Sequence, residues 1–247
     1  MEAKILVICP SRGRPEQCRD MVESFLATSK RSSLRLLLDN DDPLLNKYHE
    51  LIRGRASCVI SIQSTITNLI NDNWKHSADC FRWFSVTNDD FIYRTDGWDE
   101  KLLASLEAYG GGTGIVYGND LLQGVRMPTT SIVSRDIVEA LGWLQMPRLI
   151  HLFGDNVWSH IGQKAECLFY RPDVIIEHKH FFGGKAVEDE IYKHTNSRSM
   201  YDADKANFIK WLYAESLVDI DKVKALVERK RPRRGQMPAE KIIEMSP

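Results

Sequence analysis

Short apolar runs of strand length alternate with longer runs of helical spacing through residues 1–121, and this alternation limits the fold more than any other feature of the sequence. Strands are predicted at 5–9, 34–39, 56–63, 82–91 and 113–121, and helices at 15–29, 64–78 and 97–110. Parallel strands joined by helices need both faces of their sheet covered. The pattern therefore predicts an α/β fold with a mostly parallel central sheet flanked by helices.

The rest of the chain is predicted to be richer in helix. Helices are expected at 131–144 and over 203–227, and another helix is expected after a loop that starts at residue 151. One more strand is predicted at 173–182. Five cations fall within residues 229–234, and the segment 229–247 that they open also contains proline and glycine. This composition predicts a basic tail without a fixed fold.

Charge and cysteine content exclude several classes of protein. The 247 residues carry a formal net charge of -1, so any preference for nucleic acid or membrane has to come from a local patch. The five cysteines are widely spaced and form no C-x-x-C pair, which argues against a disulfide framework and favours a reducing compartment. Neither a signal peptide nor an apolar run near the roughly 20 residues of a membrane span is visible. A cytoplasmic protein without a membrane anchor is expected.

Charged side chains follow the predicted strands at the point where each strand ends. Three acids follow the second strand and two follow the fourth: Asp39, Asp41, Asp42, Asp89 and Asp90. The first strand leads into Pro-Ser-Arg-Gly-Arg at 10–14. Because ligands bind at the carboxyl ends of strands in open α/β sheets, these groups are expected to share one pocket. A bound diphosphate would pair with the arginines, and a divalent cation beside it would pair with the acids. The alternative is that the acids only cap loops and helices.

The stretch from 176 to 185 is the most distinctive part of the second half. His178 and His180 are two residues apart in a predicted strand, so both imidazoles face the same side of the sheet. Two histidines on one face suggest metal ligation or contact with phosphate. Lys185 follows two glycines and is expected to lie in a flexible flap over a diphosphate.

Four segments, "ILVICPSRGRP", "LLLDNDD", "TNLIND" and "VTNDDFIY", resemble in their order and spacing the nucleotide-binding half of a GT-A glycosyltransferase, nearest in style to the family 2 enzymes. The likeness covers about residues 4–195. It implies a GT-A type, Rossmann-like fold in a single domain, 1–228, followed by the tail 229–247. Within that domain the nucleotide-sugar half would be 1–120, the acceptor half 121–200, and a helical C-terminal extension 201–228. The implied activity is transfer of a hexose from a nucleotide-diphosphate sugar, with a UDP-sugar as the expected donor and Mn²⁺ or Mg²⁺ as cofactor.

The resemblance also assigns roles to individual residues. The sequence Asn-Asp-Asp at 88–90 stands where the family carries its D-x-D metal motif, with Asn88 in place of the first acid. Asp90 is therefore the expected metal ligand, completed by His178, with His180 in reserve. The residues expected to bind the nucleotide sugar are Pro10, Ser11, Arg12, Arg14, Asp39, Asp41, Asn68, Asp72, Asp89 and Lys185. For Asn68 and Asp72 a solvated helix face is an equal alternative.

Asp155 in "FGDNVW" corresponds to the acidic motif at a helix start that carries the general base of inverting transferases. An inverting transfer needs a carboxylate near the acceptor hydroxyl, to take its proton as the oxygen attacks. Asp155 is the catalytic residue that the resemblance implies. The alternative is an aspartate that caps the following helix.

The acceptor is predicted from weaker signals. The phrase "EHKHFFGGKAVEDEIY" is similar to the tails of small glycosyltransferases encoded by bacteriophages, some of which modify hydroxymethylated pyrimidines in DNA. Together with the basic tail this favours hydroxymethylated DNA as the acceptor, in the host cytoplasm. A small molecule, a polysaccharide or a protein is the alternative acceptor. A nucleotidyltransferase and a non-catalytic nucleic-acid-binding protein are the rival functions, and the oligomeric state is left open.

Overall fold

A computed structural model describes residues 4–62, 65–179 and 197–231. The strands are β1 Ile5–Ser11, β2 Ser32–Asp39, β3 Ser57–Ser61, β4 Trp83–Val86, β5 Phe91–Tyr93, β6 Ile115–Asn119, β7 Ser131–Ser134 and β8 Leu168–His178. The helices are α1 Pro15–Thr28, α2 Leu45–Ile52, α3 Ile66–Lys75, α4 Trp98–Gly110, α5 Arg135–Leu141, α6 Gly154–Lys164, α7 Arg198–Ala214 and α8 Ser216–Lys230, with a 3₁₀ turn at Gly124–Arg126.

The strands of the described ranges form one sheet in the order β3-β2-β1-β4-β7-β6-β8-β5. The four strands β3, β2, β1 and β4 are parallel to one another. Strand β7 is antiparallel to both of its neighbours, β4 and β6, while β8 is parallel to β6 and antiparallel to β5. The predicted α/β class is confirmed. The parallel character holds for the first half of the chain, and the second half of the sheet is mixed.

Strand β1 lies at the centre of the sheet and is buried on both faces. Ile5, Val7 and Cys9 pack into one core, together with helices α1, α2 and α4. Leu6 and Ile8 point to the opposite face and pack with α3, α5, α6, α7 and α8. A strand covered on both sides has no polar face, which is why its sequence is a continuous apolar run.

The order of the strands reverses next to β1 and creates a crevice there. The chain moves outward from β1 through β2 to β3, and then returns to place β4 on the other side of β1. Ligand sites of open α/β sheets lie at such switch points, outside the carboxyl ends of the strands. Here that position brings the loop after Ser11 next to the loop after Val86.

Four elements differ from their predictions. The expected helix 131–144 is the strand β7 followed by the short helix α5, since Ile132 and Val133 complete the sheet between β4 and β6. The expected strand 82–91 is split into β4 and β5, and β5 pairs with β8. Helix α2 has no side-chain cap at its start and was not predicted. Helix α8 continues to Lys230, so the first residues of the predicted tail are helical.

All five cysteines are free thiols. Cys9, Cys18 and Cys167 are buried in the core, whereas Cys58 and Cys80 are exposed. None of the helices in the described ranges combines the length and the apolar character that a membrane span requires.

Candidate active site

A cavity of about 590 Å³ opens at the carboxyl ends of β1, β2 and β4. Most of the predicted site residues line it: Pro10, Ser11, Arg12, Arg14, Asp39, Asp89, Asp90, Asp155 and His178. His180 and Lys185 lie outside the described residues. The switch point of the sheet therefore gathers residues that are up to 168 positions apart, from Pro10 to His178, around one space.

The arginine loop after β1 is anchored to the acids that follow β2. The Arg12 guanidinium donates to Asp39 Oδ2 at 3.0 Å and to Asp41 Oδ1 at 2.5 Å. Asp41 does not line the cavity itself and contacts it through Arg12. Gly13 has a φ of 70°, which favours glycine, and its N–H donates to Asp42 Oδ2 at 2.7 Å. Asp42 is thus a residue that shapes the loop.

A chain of hydrogen bonds links this loop to Asp89. The Arg14 N–H donates to the Tyr48 hydroxyl at 2.9 Å, and the Ser11 hydroxyl donates to Asp89 Oδ2 at 2.6 Å. Since the Ser11 proton is engaged with Asp89, the Tyr48 hydroxyl is the donor in its 2.7 Å hydrogen bond with Ser11 Oγ. The Arg14 guanidinium lies 3.6 Å from Asp89 Oδ1. Both Asp89 oxygens therefore hold the loop in place.

Burial determines the protonation behaviour of Asp89. The pKa of Asp89 is raised to about 6, first because the side chain is desolvated and also because the Asp90 carboxylate is close by. The Ser11 hydroxyl and the Arg14 guanidinium act in the opposite direction and lower the pKa.

Asp90 and His178 form a pair at the metal position that the resemblance implied. His178 Nε2 lies 3.2 Å from Asp90 Oδ2. The pair is held by the pairing of β5 with β8, in which Phe91 is opposite His178 and the two rings stack with centroids 4.2 Å apart. Lys179 N–H donates to the Asp90 carbonyl at 2.8 Å. The separation between Asp90 and His178 is short enough for both side chains to share an ion.

The donor set at this pair suits Mn²⁺ or Mg²⁺. Asp90 Oδ1 is buried and has no hydrogen-bond partner among the described residues, which leaves a carboxylate oxygen available for a cation. No group of three or more His, Cys, Asp or Glu side chains within the described ranges is arranged to hold a metal ion. Two protein ligands are enough when phosphate oxygens and water complete the coordination, as is usual for Mg²⁺ at nucleotide sites.

Asp155 lies in the first turn of α6 and faces the cavity. The N-cap of this helix is Phe153, so Asp155 does not have the capping role that was the alternative prediction. Its Oδ1 accepts from the Asn156 N–H at 2.8 Å. Burial raises the pKa of the Asp155 carboxyl, while the Asn156 N–H and the His178 imidazole lower it. A half-buried carboxylate with a raised pKa is suited to accept a proton.

The loop that precedes Asp155 is fixed by helix α7. Asp204 is fully buried, and its carboxylate accepts from the N–H groups of Ile150, His151 and Leu152 at 2.7, 2.9 and 2.7 Å. His151 lines the cavity between this anchor and Asp155, and burial lowers the pKa of its imidazole. Three consecutive backbone donors bound by one carboxylate leave the loop a single conformation.

Asn68 and Asp72 are not brought to the cavity. Both are exposed on α3, while Thr65, Ile66 and Leu69 of the same segment line the cavity. Four-residue spacing predicted correctly that Asn68 and Asp72 share a face, but it does not indicate which face turns inward. The correction is that this helix presents mainly apolar side chains to the site.

Several residues of the site were not predicted: Tyr48, Gln145, His151 and Asp204. Each of them acts with a partner at least 37 positions away or belongs to an element whose neighbours are distant in sequence. His151 also carried a signal in the sequence, because it lies four residues before Asp155.

Comparison with known proteins identifies the fold. No protein-family model and no curated protein matches the sequence. The mannosyltransferase PcManGT from Pyrobaculum calidifontis, in complex with GDP-Man and Mn²⁺, is 8% identical, with a TM-score of 0.54 over 93% of this chain and 75% of that chain. S. aureus TarS in complex with UDP is 10% identical, with a TM-score of 0.55 over 92% of this chain and 83% of that chain. TarS in complex with UDP-GlcNAc is 10% identical, with a TM-score of 0.52 over 93% of this chain and 82% of that chain.

The chain therefore has the GT-A type fold of nucleotide-sugar glycosyltransferases, as the sequence resemblance implied. Within the described residues its sheet has eight strands of mixed direction and carries helices on both faces. One fold can carry many functions, so the function is argued from the residues of the site.

Proposed function

We propose that this protein is a metal-dependent glycosyltransferase that moves a hexosyl group from a nucleotide-diphosphate sugar to a hydroxyl group. The observation that carries the proposal is the composition of one cavity. It joins an arginine loop at a helix start, the Asp90–His178 pair and the half-buried carboxylate of Asp155. GDP-Man with Mn²⁺, UDP and UDP-GlcNAc are present in the similar structures, which supports a donor of this class.

The arginine loop and Asp39 are proposed to bind the nucleotide part of the donor. Arg14 is the N-cap of α1, so its guanidinium and the positive end of the helix dipole both favour a phosphate group. Asp39 lies at the end of β2 and accepts from Arg12, which leaves its second oxygen to accept from an N–H of a base. A uracil N–H fits this acceptor, and UDP is the proposed nucleotide.

Asp90 and His178 are proposed to hold the divalent cation. A cation bound by this pair supplies positive charge beside the leaving diphosphate. His178 is kept in place by stacking on Phe91 and by its backbone N–H, which donates to the Asp120 carbonyl at 2.9 Å.

Asp155 is proposed to act as the general base of an inverting transfer. Its carboxylate takes the proton of the acceptor hydroxyl while that oxygen forms a bond to the anomeric carbon. The bond from the anomeric carbon to the diphosphate oxygen breaks at the same time, and the electron pair leaves with the nucleoside diphosphate. Attack opposite to the leaving group inverts the configuration at that carbon.

A hydroxymethylated pyrimidine in phage DNA is the proposed acceptor, and it rests on the sequence features named above. One of these features, the basic tail, gives less support because two of its charges are paired within the protein. Lys230 Nζ binds Asp136 Oδ2 at 2.7 Å, and Arg231 Nη1 lies 3.4 Å from Glu166 Oε2, so these two charges are matched within the protein. Arg233 and Arg234 lie outside the described residues.

Release of UDP from UDP-sugars, with and without Mn²⁺ and hydroxymethylated DNA, tests the proposal. Wild type is expected to release UDP only with the metal, and mass spectrometry should find the hexose on the acceptor. Asp90→Ala and His178→Ala should each weaken Mn²⁺ binding in the presence of UDP by more than about tenfold. Asp72→Ala, at an exposed acid outside the cavity, is the matched control.

Calorimetry separates the rival functions. Binding of GTP with release of pyrophosphate, and no binding of UDP, would identify a nucleotidyltransferase instead. Binding of duplex DNA without binding of any nucleotide would identify a non-catalytic nucleic-acid-binding protein.

A further inference from the structure

Gln145 presents a buried amide to the cavity. The residue is 8% exposed and its side chain lines the cavity wall. Within the described ranges the side-chain amide forms no hydrogen bond, although its backbone groups do. An amide offers an acceptor oxygen and two N–H donors. Because no protein group of the described ranges uses them and Gln145 lines the cavity, they are available to a ligand there.

The position of Gln145 is fixed by a second buried amide. Asn71 on α3 is 6% exposed, and its Oδ1 accepts from the N–H groups of Leu144 and Gln145 at 2.8 and 3.0 Å. Asn71 Nδ2 donates to the Gln145 carbonyl at 2.7 Å. Trp74 Nε1 also donates to Asn71 Oδ1, at 3.3 Å. The N–H and the carbonyl of Gln145 are therefore both held by Asn71, which fixes the backbone from which the side chain enters the cavity wall.

That place is directly beside the proposed base. A β-carbon added to Gly154 would lie 2.6 Å from Gln145 Nε2 and 2.8 Å from Gln145 Oε1. Gly154 immediately precedes Asp155, so the amide packs against the backbone that carries the catalytic carboxylate. A side chain at position 154 would displace the amide from this place.

The donor's hexose is the part of the substrates that is expected to lie beside Gln145. If the diphosphate lies at Asp90 and His178 and the acceptor hydroxyl lies at Asp155, the hexose lies between them, because its anomeric carbon joins the two. Gln145 lines the cavity beside Gly154, next to the carboxylate at which the transfer is proposed to occur, and this places the amide within reach of the hexose.

We infer that Gln145 hydrogen-bonds hydroxyl groups of the donor's hexose and selects which sugar is transferred. The inference rests on the proposed function and adds to it a specificity-determining residue. A sugar hydroxyl donates and accepts one hydrogen bond at a time, and the amide can supply both partners. Discrimination between sugars that differ at one hydroxyl follows, because the wrong epimer leaves the amide unsatisfied.

Calorimetry tests the inference through the binding of UDP compared with that of UDP-glucose, UDP-galactose and UDP-GlcNAc, all with Mn²⁺. In Gln145→Leu the affinity for UDP should equal that of wild type, because UDP lacks the hexose. The affinity for at least one UDP-sugar should fall about five- to tenfold, as expected for the loss of one or two neutral hydrogen bonds. GDP and GDP-mannose are measured in the same way.

Two further variants keep the test interpretable. Gln163→Leu makes the same substitution on the exposed face of α6, outside the cavity, and should change no affinity. Gln145→Met replaces the amide with an unbranched side chain of similar length, and it serves if Gln145→Leu does not fold.

Equal affinities for every nucleotide sugar in wild type and both Gln145 variants would overturn the inference and leave the proposed function standing. A parallel loss of affinity for UDP and UDP-sugars would also overturn it, since this would show a purely structural role. If wild type binds no nucleotide and no nucleotide sugar, the proposed function fails and the inference fails with it.

Discussion

Two acids that are adjacent in the sequence have different tasks at this site. Both oxygens of Asp89 are engaged by Ser11 and Arg14, and the side chain fixes the arginine loop. Asp90 instead faces His178 and keeps one buried oxygen without a partner among the described residues. Both residues lie in the turn between β4 and β5, and the different partners of their side chains separate the structural carboxylate from the one suited to a cation.

Substitution of Asp155 by asparagine should abolish catalysis and leave donor binding intact. Asparagine has nearly the same shape but cannot accept a proton, and a general base typically contributes about 10² to 10⁴ in rate. The kcat for UDP release is expected to fall by that factor, while calorimetry should give an unchanged Kd for UDP. Asp72→Asn on the exposed face of α3 is the control. Full activity of Asp155→Asn would rule out the role of base.

The pKa of Asp155 also predicts the dependence on pH. Burial raises this pKa above the ordinary aspartate value of about 3.9, and the base works only when ionised. The kcat should therefore fall on the acid side at a higher pH than an exposed aspartate would give.

The same shift has a consequence for stability. A raised pKa means that the fold favours the protonated form, and the stability this contributes is lost as pH rises through the folded pKa. Asp155→Asn should thus raise the thermal midpoint at pH 8 relative to wild type. A midpoint that is unchanged or lower would contradict the assigned cause of the shift.

At the scale of elements, α7 determines the shape of the loop before α6. Asp204 binds three consecutive backbone N–H groups, and the Phe153 ring stacks on Phe208 with centroids 5.5 Å apart. Phe153 has a φ of 68°, which is unfavourable for a residue with a side chain and is sustained by these contacts. Helix α7 therefore shapes the part of the cavity wall that precedes Asp155.

Removal of the Asp204 carboxylate should loosen this loop. Asp204→Ala leaves three partly buried N–H groups without an acceptor, at a cost of about 3 kcal/mol in the free energy of unfolding. The thermal midpoint should fall by about 6 to 12 °C, as expected for a chain of this size. The kcat should fall as well, because Asp155 is no longer held in place, while the Kd for UDP should stay unchanged.

Asp202→Ala on the same helix is the matched control, since Asp202 is exposed and its one ion-pair partner among the described residues is Arg198. An Asp204→Ala enzyme with the wild-type kcat at a temperature where it is folded would show that the anchor is not needed for catalysis.

At the scale of the whole molecule, the basic segment divides into an attached part and a part outside the described residues. Arg229 and Lys230 end α8, and the Lys230–Asp136 and Arg231–Glu166 contacts join that end to α5 and to the turn after α6. Charges that are paired within the protein are poor ligands for a phosphate backbone. Any DNA contact of the tail should therefore come from its other cations, which are Arg229, Arg233, Arg234 and Lys241.

A chain that ends at residue 231 should keep its fold and lose affinity for DNA. Its thermal midpoint should match wild type, because α8 and its ion pairs are retained. Binding to hydroxymethylated DNA should weaken, and the slope of log K against log salt should decrease in magnitude by about 2 to 3 for the three cations removed, Arg233, Arg234 and Lys241. UDP release without DNA is the internal control. Unchanged binding at every salt concentration would exclude the tail as a DNA contact.

The sequence by itself determined the chemistry at the strand ends. The apolar runs define the strands, the carboxyl ends of parallel strands share one edge, and the residues there follow directly: Ser11, Arg12, Arg14, Asp39, Asp89 and Asp90. Both steps are local. The strands are found from the spacing of apolar residues, and the shared edge is found from the direction in which each strand runs. The pairing of Asp90 with His178 followed from the resemblance, which carried information about long-range order.

Only the tertiary structure decided which side chains complete the walls. Gln145 is placed by Asn71, 74 positions away, and the loop at His151 is placed by Asp204, 53 positions away. The inward face of α3, and the change from a predicted helix to the strand β7, depend in the same way on what packs against them. Spacing along a chain records which residues share a face, but the partner of that face is set by topology, and a short segment carries no signal strong enough to reveal it.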